Sequence, residues 1–412
     1  MKLKRLRFGV GAVVVAASAF VAQAAHAAPN PWYVAGDSNG ALGQCDPALL
    51  GRSGNEGAWW SSHTVFTPTP PCRSGGQINA LAVGPTGRLF SAGYQYAANG
   101  HKQGVAGFSD DGGVTWTEIQ RIPVSATDTE YRDVEVVAMQ MGSPVPVYQV
   151  ILWAGTEVNS AFHEANGPFQ TGWQTLTYPA HPGTQYADMA PLDRRNSTGP
   201  MLIAGQRGPC GLVSTFSLTW PTIFEDPSHG SCAPGHDVSL DGVASNPAPI
   251  SAGGGDAAQS YIRSVAVGTA TPREVGPQRP VIVRMLWNSS TPAVTQLLPG
   301  SGSLHSVAFR KETQTSPEAW VAVGSKATAG GVVGIAFRSL DRGVTWTSVS
   351  LPSGVKKLRK IVHTGSVFLA VGDGGQILKS VDGASWAYVV SPASNSQSLR
   401  AVADPTPPIW IP

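Results

Sequence analysis

Residues 358–386 read LRKIVHTGSVFLAVGDGGQILKSVDGASW. The segment KLRKIVH, 357–363, alternates in the manner of a half-buried strand. FLAVG, 368–372, is a short apolar run that stops at a glycine. A third strand signal follows the turn GDGG, and Ser380, Asp382 and Gly383 then turn the chain toward Trp386.

Working outward, the glycine-ended strand recurs along the whole chain. It appears as WYVAG to Gly36, LFSAG to Gly93, ILWAG to Gly155, MLIAG to Gly205, SVAVG to Gly268, WVAVG to Gly324 and FLAVG to Gly372. A fixed period of this size signals a repeat architecture. The glycine is expected to mark a turn that needs a positive φ.

An alternating segment precedes each copy except the first. These are QINALAV (77–83), EYRDVEV (130–136), QYADMAP (185–191), HDVSLDG (236–242), SLHSVAF (303–309) and KLRKIVH (357–363). The missing partner is SLRAVAD, 398–404, at the other end of the chain. A radial array of sheets leaves an open edge where its ends meet, and a C-terminal strand added to the first unit removes that edge. The expected fold is an all-β, seven-bladed β-propeller in which the C-terminal strand joins the first blade.

The polar turn has its own repeat: FRSLDRGVTWTSV at 337–349, FSDDGGVTWTEI at 108–119 and KSVDGASWAYV at 379–389. Ser339, Asp341, Gly343, Thr345 and Trp346 correspond to Ser109, Asp111, Gly113, Thr115 and Trp116. In the last copy the same places fall to Ser380, Asp382, Gly383, Ser385 and Trp386. Short side-chain oxygens can cap the turn's amides, and glycine can take the left-handed conformation. The tryptophan can bury a large ring between sheets. Trp173, Trp220 and Trp287 are expected at this place where the polar part has decayed.

This phrase resembles the Asp-box (BNR repeat) of the sialidase-like superfamily, which also occurs in sorting receptors and non-enzymatic propellers. The resemblance implies an outer hairpin remote from the functional face. Residues 358–386 also resemble the repeat of photosystem II stability and assembly factor-like propellers. That likeness is good in the sixth and seventh units, fair in the second and poor in the third to fifth. It implies a non-catalytic scaffold that grips a protein partner with basic residues.

Residues 1–27 read as a secretory signal peptide: a basic start, an apolar FGVGAVVVAASAFVA and small residues at Ala25 and Ala27. Residues 28–412 are then one propeller domain, secreted or periplasmic, with no membrane span after cleavage. Gly 48, Pro 33 and 13% charged residues favour turns over helices. The net charge of +2 points to no nucleic acid. A monomer is expected. Cys45, Cys72, Cys210 and Cys232 allow three pairings, of which the local Cys45–Cys72 and Cys210–Cys232 are the simplest. No spacing suggests a metal or a cofactor.

Functional residues are sought at the channel mouth, on the inner strands. These offer Asn79, Arg132, Asp133, Asp188, His236, Asp237, His305, Arg359, Lys360 and Arg400. Arg132, Arg359, Arg400, His305 and Lys360 form the candidate binding set. The alternatives are a glycoside hydrolase, for which Asp133 and Asp188 are the best carboxylate pair, and a carbohydrate-binding lectin using Trp59, Trp60 or Tyr94. The Gln120–Pro123 segment QRIP follows an Asp-box rather than preceding one, the wrong place for a sialidase carboxylate clamp.

Overall fold

The computed structural model describes residues 31–403, leaving aside 39–47, 66–74, 85, 124, 126, 140–146, 155–156, 165–173, 178–183, 193–200, 217–222, 225–229, 247–261, 288–292 and 314–315. The expected signal peptide, Cys45, Cys72, Gly155, Trp173 and Trp220 lie outside the described residues.

The described strands form seven antiparallel sheets, six of four strands and one of five. The first holds β1 (Trp32–Gly36), β2 (Ala48–Ser53) and β3 (Ser61–Val65). The second holds β4 (Gln77–Val83), β5 (Leu89–Tyr96), β6 (Lys102–Ser109) and β7 (Thr117–Arg121). The third holds β8 (Asp133–Met139), β9 (Val147–Trp153), β10 (Glu157–Glu164) and β11 (Gln174–Thr177). In the fourth are β12 (Thr184–Pro191), β13 (Met201–Arg207), β14 (Cys210–Phe216), β15 (Ile223–Phe224) and β16 (Gly230–Ser231). The fifth comprises β17 (His236–Asn246), β18 (Ile262–Pro272), β19 (Arg279–Trp287) and β20 (Val294–Leu297). The sixth comprises β21 (Ser303–Arg310), β22 (Ala319–Thr328), β23 (Gly331–Ser339) and β24 (Thr347–Val349). The seventh comprises β25 (Leu358–His363), β26 (Phe368–Gly372), β27 (Ile377–Ser380) and β28 (Ala387–Val389). The last strand, β29 (Leu399–Ala403), pairs antiparallel with β1 and completes the first sheet.

The innermost strands touch in the order β29, β4, β8, β12, β17, β21, β25 and back to β29. The architecture is therefore an all-β propeller, with the first strand of each sheet around the axis. The second strands are sandwiched between neighbouring sheets, which explains their continuous apolar runs. Every residue of β1 and of β26 is buried. Core clusters accordingly combine adjacent sheets, as where Val265 and Val267 of the fifth meet Leu304 and Trp320 of the sixth.

The repeated glycines of the second strands are not turn residues, contrary to the sequence expectation; those at 93, 205, 268 and 324 lie inside their strands. None of Gly36, Gly93, Gly205, Gly268, Gly324 and Gly372 has a positive φ. Their role is close approach. A Cβ on Gly372 would lie 2.1 Å from the Lys357 carbonyl oxygen, and one on Gly324 1.9 Å from that of Ser303. The inner strand bulges at that point and brings its backbone against the glycine.

The Ser-x-Asp turns join third and fourth strands, as expected. In the sixth sheet the Gly343 N–H donates to Ser339 Oγ at 2.9 Å, and Ser339 Oγ donates to Asp341 Oδ1 at 2.8 Å. The Thr345 N–H reaches Asp341 Oδ1 at 2.8 Å and the Thr345 hydroxyl reaches Oδ2 at 2.6 Å. Trp346 Nε1 donates to the Gly343 carbonyl at 3.1 Å, and its ring is buried between the fifth and sixth sheets. Gly113, Gly343 and Gly383 all have positive φ.

A fourth copy of the turn lies in the first sheet, between β2 and β3. Ser53, Asn55, Gly57 and Trp60 repeat the spacing in the first sheet, with asparagine for aspartate and Trp59 for threonine. The Gly57 N–H again donates to the serine hydroxyl, at 2.9 Å. Trp287 does not hold the place expected for it. It closes β19 opposite Ile262, as Ser339 closes β23 opposite Trp320, before the turn rather than after it.

The Cys210–Cys232 bridge is present and ties the start of β14 to the residue after β16. Among the described residues no helix is long and apolar enough to cross a membrane.

Candidate functional site

The bulge in each inner strand decides which side chain is re-aimed. Pairing skips Arg400 in β29, Asn79 in β4, Ala187 in β12, Asp241 in β17, His305 in β21 and Arg359 in β25. In the third sheet Arg132 takes this place, its N–H bonding the carbonyl of Trp153, the residue opposite Asp133. The residue just before each bulge is buried: Leu399, Ile78, Tyr131, Tyr186, Leu240, Leu304 and Leu358. An apolar anchor thus fixes the register, and the next residue is free to vary.

Five of these bulge residues, Arg400, Asn79, Arg132, Ala187 and Arg359, converge on one cavity of about 440 Å³. Gln77, Tyr94, Lys102 and Glu130 complete its wall. Four cations therefore face one carboxylate. Lys102 lies 4.4 Å from the centre of the Tyr94 ring and 3.1 Å from Glu130. Arg132 donates to the Tyr186 carbonyl at 2.7 Å and remains 43% exposed. Arg359 and Arg400 are held by Asp373 and Asp37 at 2.5 and 2.7 Å. Burial raises the Asp373 carboxyl, but the bond and charge of Arg359 more than offset it and hold the group below its ordinary value. Burial lowers the neighbouring Lys357 amine, and the Arg359 charge adds to that.

The layer beneath consists of the residues that follow the bulges, and it is structural. Asp133 is 4% exposed; it accepts from its neighbour's Val134 N–H at 2.9 Å and from the Met189 N–H at 3.1 Å. Asp188 accepts from the Val243 N–H at 2.8 Å, and Ser306 from the Ile361 N–H at 3.3 Å. Each is a bond from one inner strand to the next. Lys360 of the seventh sheet reaches Asp188 of the fourth at 2.9 Å. Burial pushes the Asp133 carboxyl well above its ordinary value, only partly countered by Lys360. Burial opposes the Lys360 charge, but Asp188 and Asp133 raise its amine above the usual value.

The candidate binding residues therefore separate. Arg132, Arg359 and Arg400 come together on the cavity wall. Lys360 lies one residue past the bulge and is committed to Asp188. His305 does not line the cavity either, standing 3.5 Å from Asp241 and 3.0 Å from Ser325. His236 and Asp237 belong elsewhere, since β17 begins five residues before its own bulge at Asp241. His236 bonds the Pro234 carbonyl and Asp237 pairs with Arg273. Three further residues line the cavity without occupying bulges: Gln77 and Glu130 lie two residues before Asn79 and Arg132, and Lys102 begins the third strand β6. Among the described residues no cluster of His, Cys, Asp and Glu suits a metal ion.

No protein-family model matches the chain, and no curated protein is significantly similar to it. Solved structures share the fold. A putative 6-phosphogluconolactonase from Bacteroides fragilis superposes with a TM-score of 0.50 at 8% identity, covering 90% of this chain and 97% of that one. A second, from Bacteroides uniformis, gives 0.50 at 10% identity over 90% and 99% of the two chains. YCF48 bound to D1 peptide gives 0.50 at 14% identity over 85% and 95%. At these identities the likeness is one of fold.

Proposed function

We infer that this chain is an exported, seven-bladed, Asp-box-type propeller that docks an acidic segment of a protein partner and catalyses nothing. One observation carries the reading. Backbone bulges bring Arg132, Arg359 and Arg400, with Lys102, onto the wall of one open cavity. Guanidinium groups recognise carboxylates by paired hydrogen bonds, which suits an acidic peptide. The carboxylates a glycosidase would require are spent on structure. Both oxygens of Asp133 accept backbone N–H bonds, and Asp188 is divided between Val243 and Lys360. A general base or nucleophile needs a lone pair aimed at substrate. The peptide complex of YCF48 supports the idea that a propeller of this shape can hold a peptide.

The test is capture from the native envelope fraction by the mature protein, beside the double variant Arg359→Glu/Arg400→Glu. A specific protein should be retained by the first, lost with the second, and released by moderate salt. Saturable binding on a glycan array, or turnover of a chromogenic glycoside, would overturn the reading.

A further inference from the structure

Arg359 and Arg400 occupy the bulges of neighbouring inner strands, and each is met by an acid from its own sheet. Asp373 follows Gly372 and accepts from Arg359 Nε; Asp37 follows Gly36 and accepts from Arg400 Nε. The acids are themselves clamped. The Asp37 N–H bonds the Ser398 carbonyl at 3.0 Å, and the Asp373 N–H bonds that of Lys357 at 2.9 Å. The sixth sheet repeats the relationship with other residue types, His305 in the bulge and Ser325 after Gly324. The device is therefore a property of the fold, with charge added in two adjacent sheets.

In both pairs the carboxylate takes the Nε side of the guanidinium. The described hydrogen bonds leave the terminal Nη1 and Nη2 of Arg359 and Arg400 unengaged, and both side chains line the cavity. That terminal edge can grip a second oxyanion bidentately.

We propose that Asp37 and Asp373 are positioning residues that hold the terminal edges of Arg400 and Arg359 toward the cavity, so that the two forks grip one carboxylate-bearing segment. The proposal rests on the docking function inferred above. It opposes the simplest electrostatic expectation. Charge alone makes the two acids competitors, so that removing either should strengthen anion binding. Positioning makes them necessary, so that removing either should weaken it.

The experiment is fluorescence anisotropy of a labelled hexa-aspartate peptide on the full mature chain at low ionic strength. Asp37→Asn and Asp373→Asn should each weaken binding by about tenfold, measured well below the melting transition of each variant. Asp37→Ser and Asp373→Ser serve where asparagine disturbs the fold. A mutant cycle supplies the readout that a merely structural role would not move. In an Arg400→Lys background there is no planar edge to orient, so Asp37→Asn should strengthen binding there. Equal or tighter binding by the single asparagine variants would overturn the positioning role and leave docking intact. Failure of the wild-type chain to bind the peptide at all would overturn the docking reading with it.

Discussion

Lys360 reaches Asp188 across the ring, from the seventh sheet to the fourth, with Nζ 2.9 Å from Oδ1. The two residues are 172 positions apart in the chain, and their pairing ties opposite sides of the propeller beneath the basic cavity. Asp133 sits beside this pair but serves a different purpose. It bonds the neighbouring inner strand, and burial favours its neutral form.

The two aspartates should consequently respond in opposite ways. Asp188→Asn leaves Lys360 without its counter-charge and should cost about 2–3 kcal/mol, below the 3–5 of a fully buried pair. The discount follows from the 28% exposure that Lys360 retains. Asp133→Asn keeps an oxygen for the Met189 N–H, gives up only the bond from the Val134 N–H of its own strand, and relieves the site of any burial penalty on an ionised carboxyl. Its melting temperature at pH 7 should match or exceed that of the wild type. Thermal unfolding of the two variants measures both, and a large loss with Asp133→Asn would contradict the account of this layer.

Gly372→Ala should break both fold and site. Its Cβ would fall 2.1 Å from the Lys357 carbonyl oxygen, so the bulge that aims Arg359 must move. A loss of about 3 kcal/mol is expected, at the upper end of the usual cost of overpacking a close-packed interior. Circular dichroism melting checks the stability. Hexa-aspartate affinity, measured below the transition, should fall with it. An alanine tolerated at this position would remove the physical basis for the glycine repeat.

The repeat and its closure by β29 were legible in the sequence because close approach excludes every residue but glycine, leaving a regular mark. The bulge ring was legible only in part. Its side chains are free to vary, from Asn79 through Ala187 and Asp241 to His305, so composition gives no sign of it. The signal lay one residue earlier, in the buried Leu240, Leu304, Leu358 and Leu399. Aligning on those leucines would have exposed Asp241 and set aside His236 and Asp237. Asp37 and Asp373 were missed for another reason, since they follow the second strand rather than lying on the first. The Lys360–Asp188 pair joins distant parts of the chain, and no local pattern could announce it.

The Ser-x-Asp turns should affect stability alone, and with a definite pH dependence. Hydrogen bonds from Thr115 hold the Asp111 carboxyl below its ordinary range, and those from the Ser385 amide do so for Asp382. For Asp341 burial raises the group, but the Thr345 hydroxyl and amide outweigh it. A folded value below the unfolded one, about 3.9, means that the contribution is complete above that pH and is lost on acidification. Asp341→Ala should cost about 1–2 kcal/mol at pH 7, and the deficit should shrink as pH falls below about 4. Trp346→Ala should cost more, about 3–5 kcal/mol. Melting curves across pH test both, and a weakened ligand affinity in folded Asp341→Ala would place the turn on the functional face.

Photo-crosslinking from Ala187 tests the central claim most directly. This residue lines the cavity and carries no charge, so a benzophenone amino acid can replace it without removing a binding group. Val344, half exposed on the Ser-x-Asp turn of the sixth sheet, supplies the control position. Irradiation in cells of the source organism should join the Ala187 variant to one protein, through a segment rich in aspartate and glutamate, and the Arg359→Glu/Arg400→Glu background should abolish the product. The account is contradicted if the crosslink forms from Val344 and not from Ala187, or if the product from Ala187 survives charge reversal.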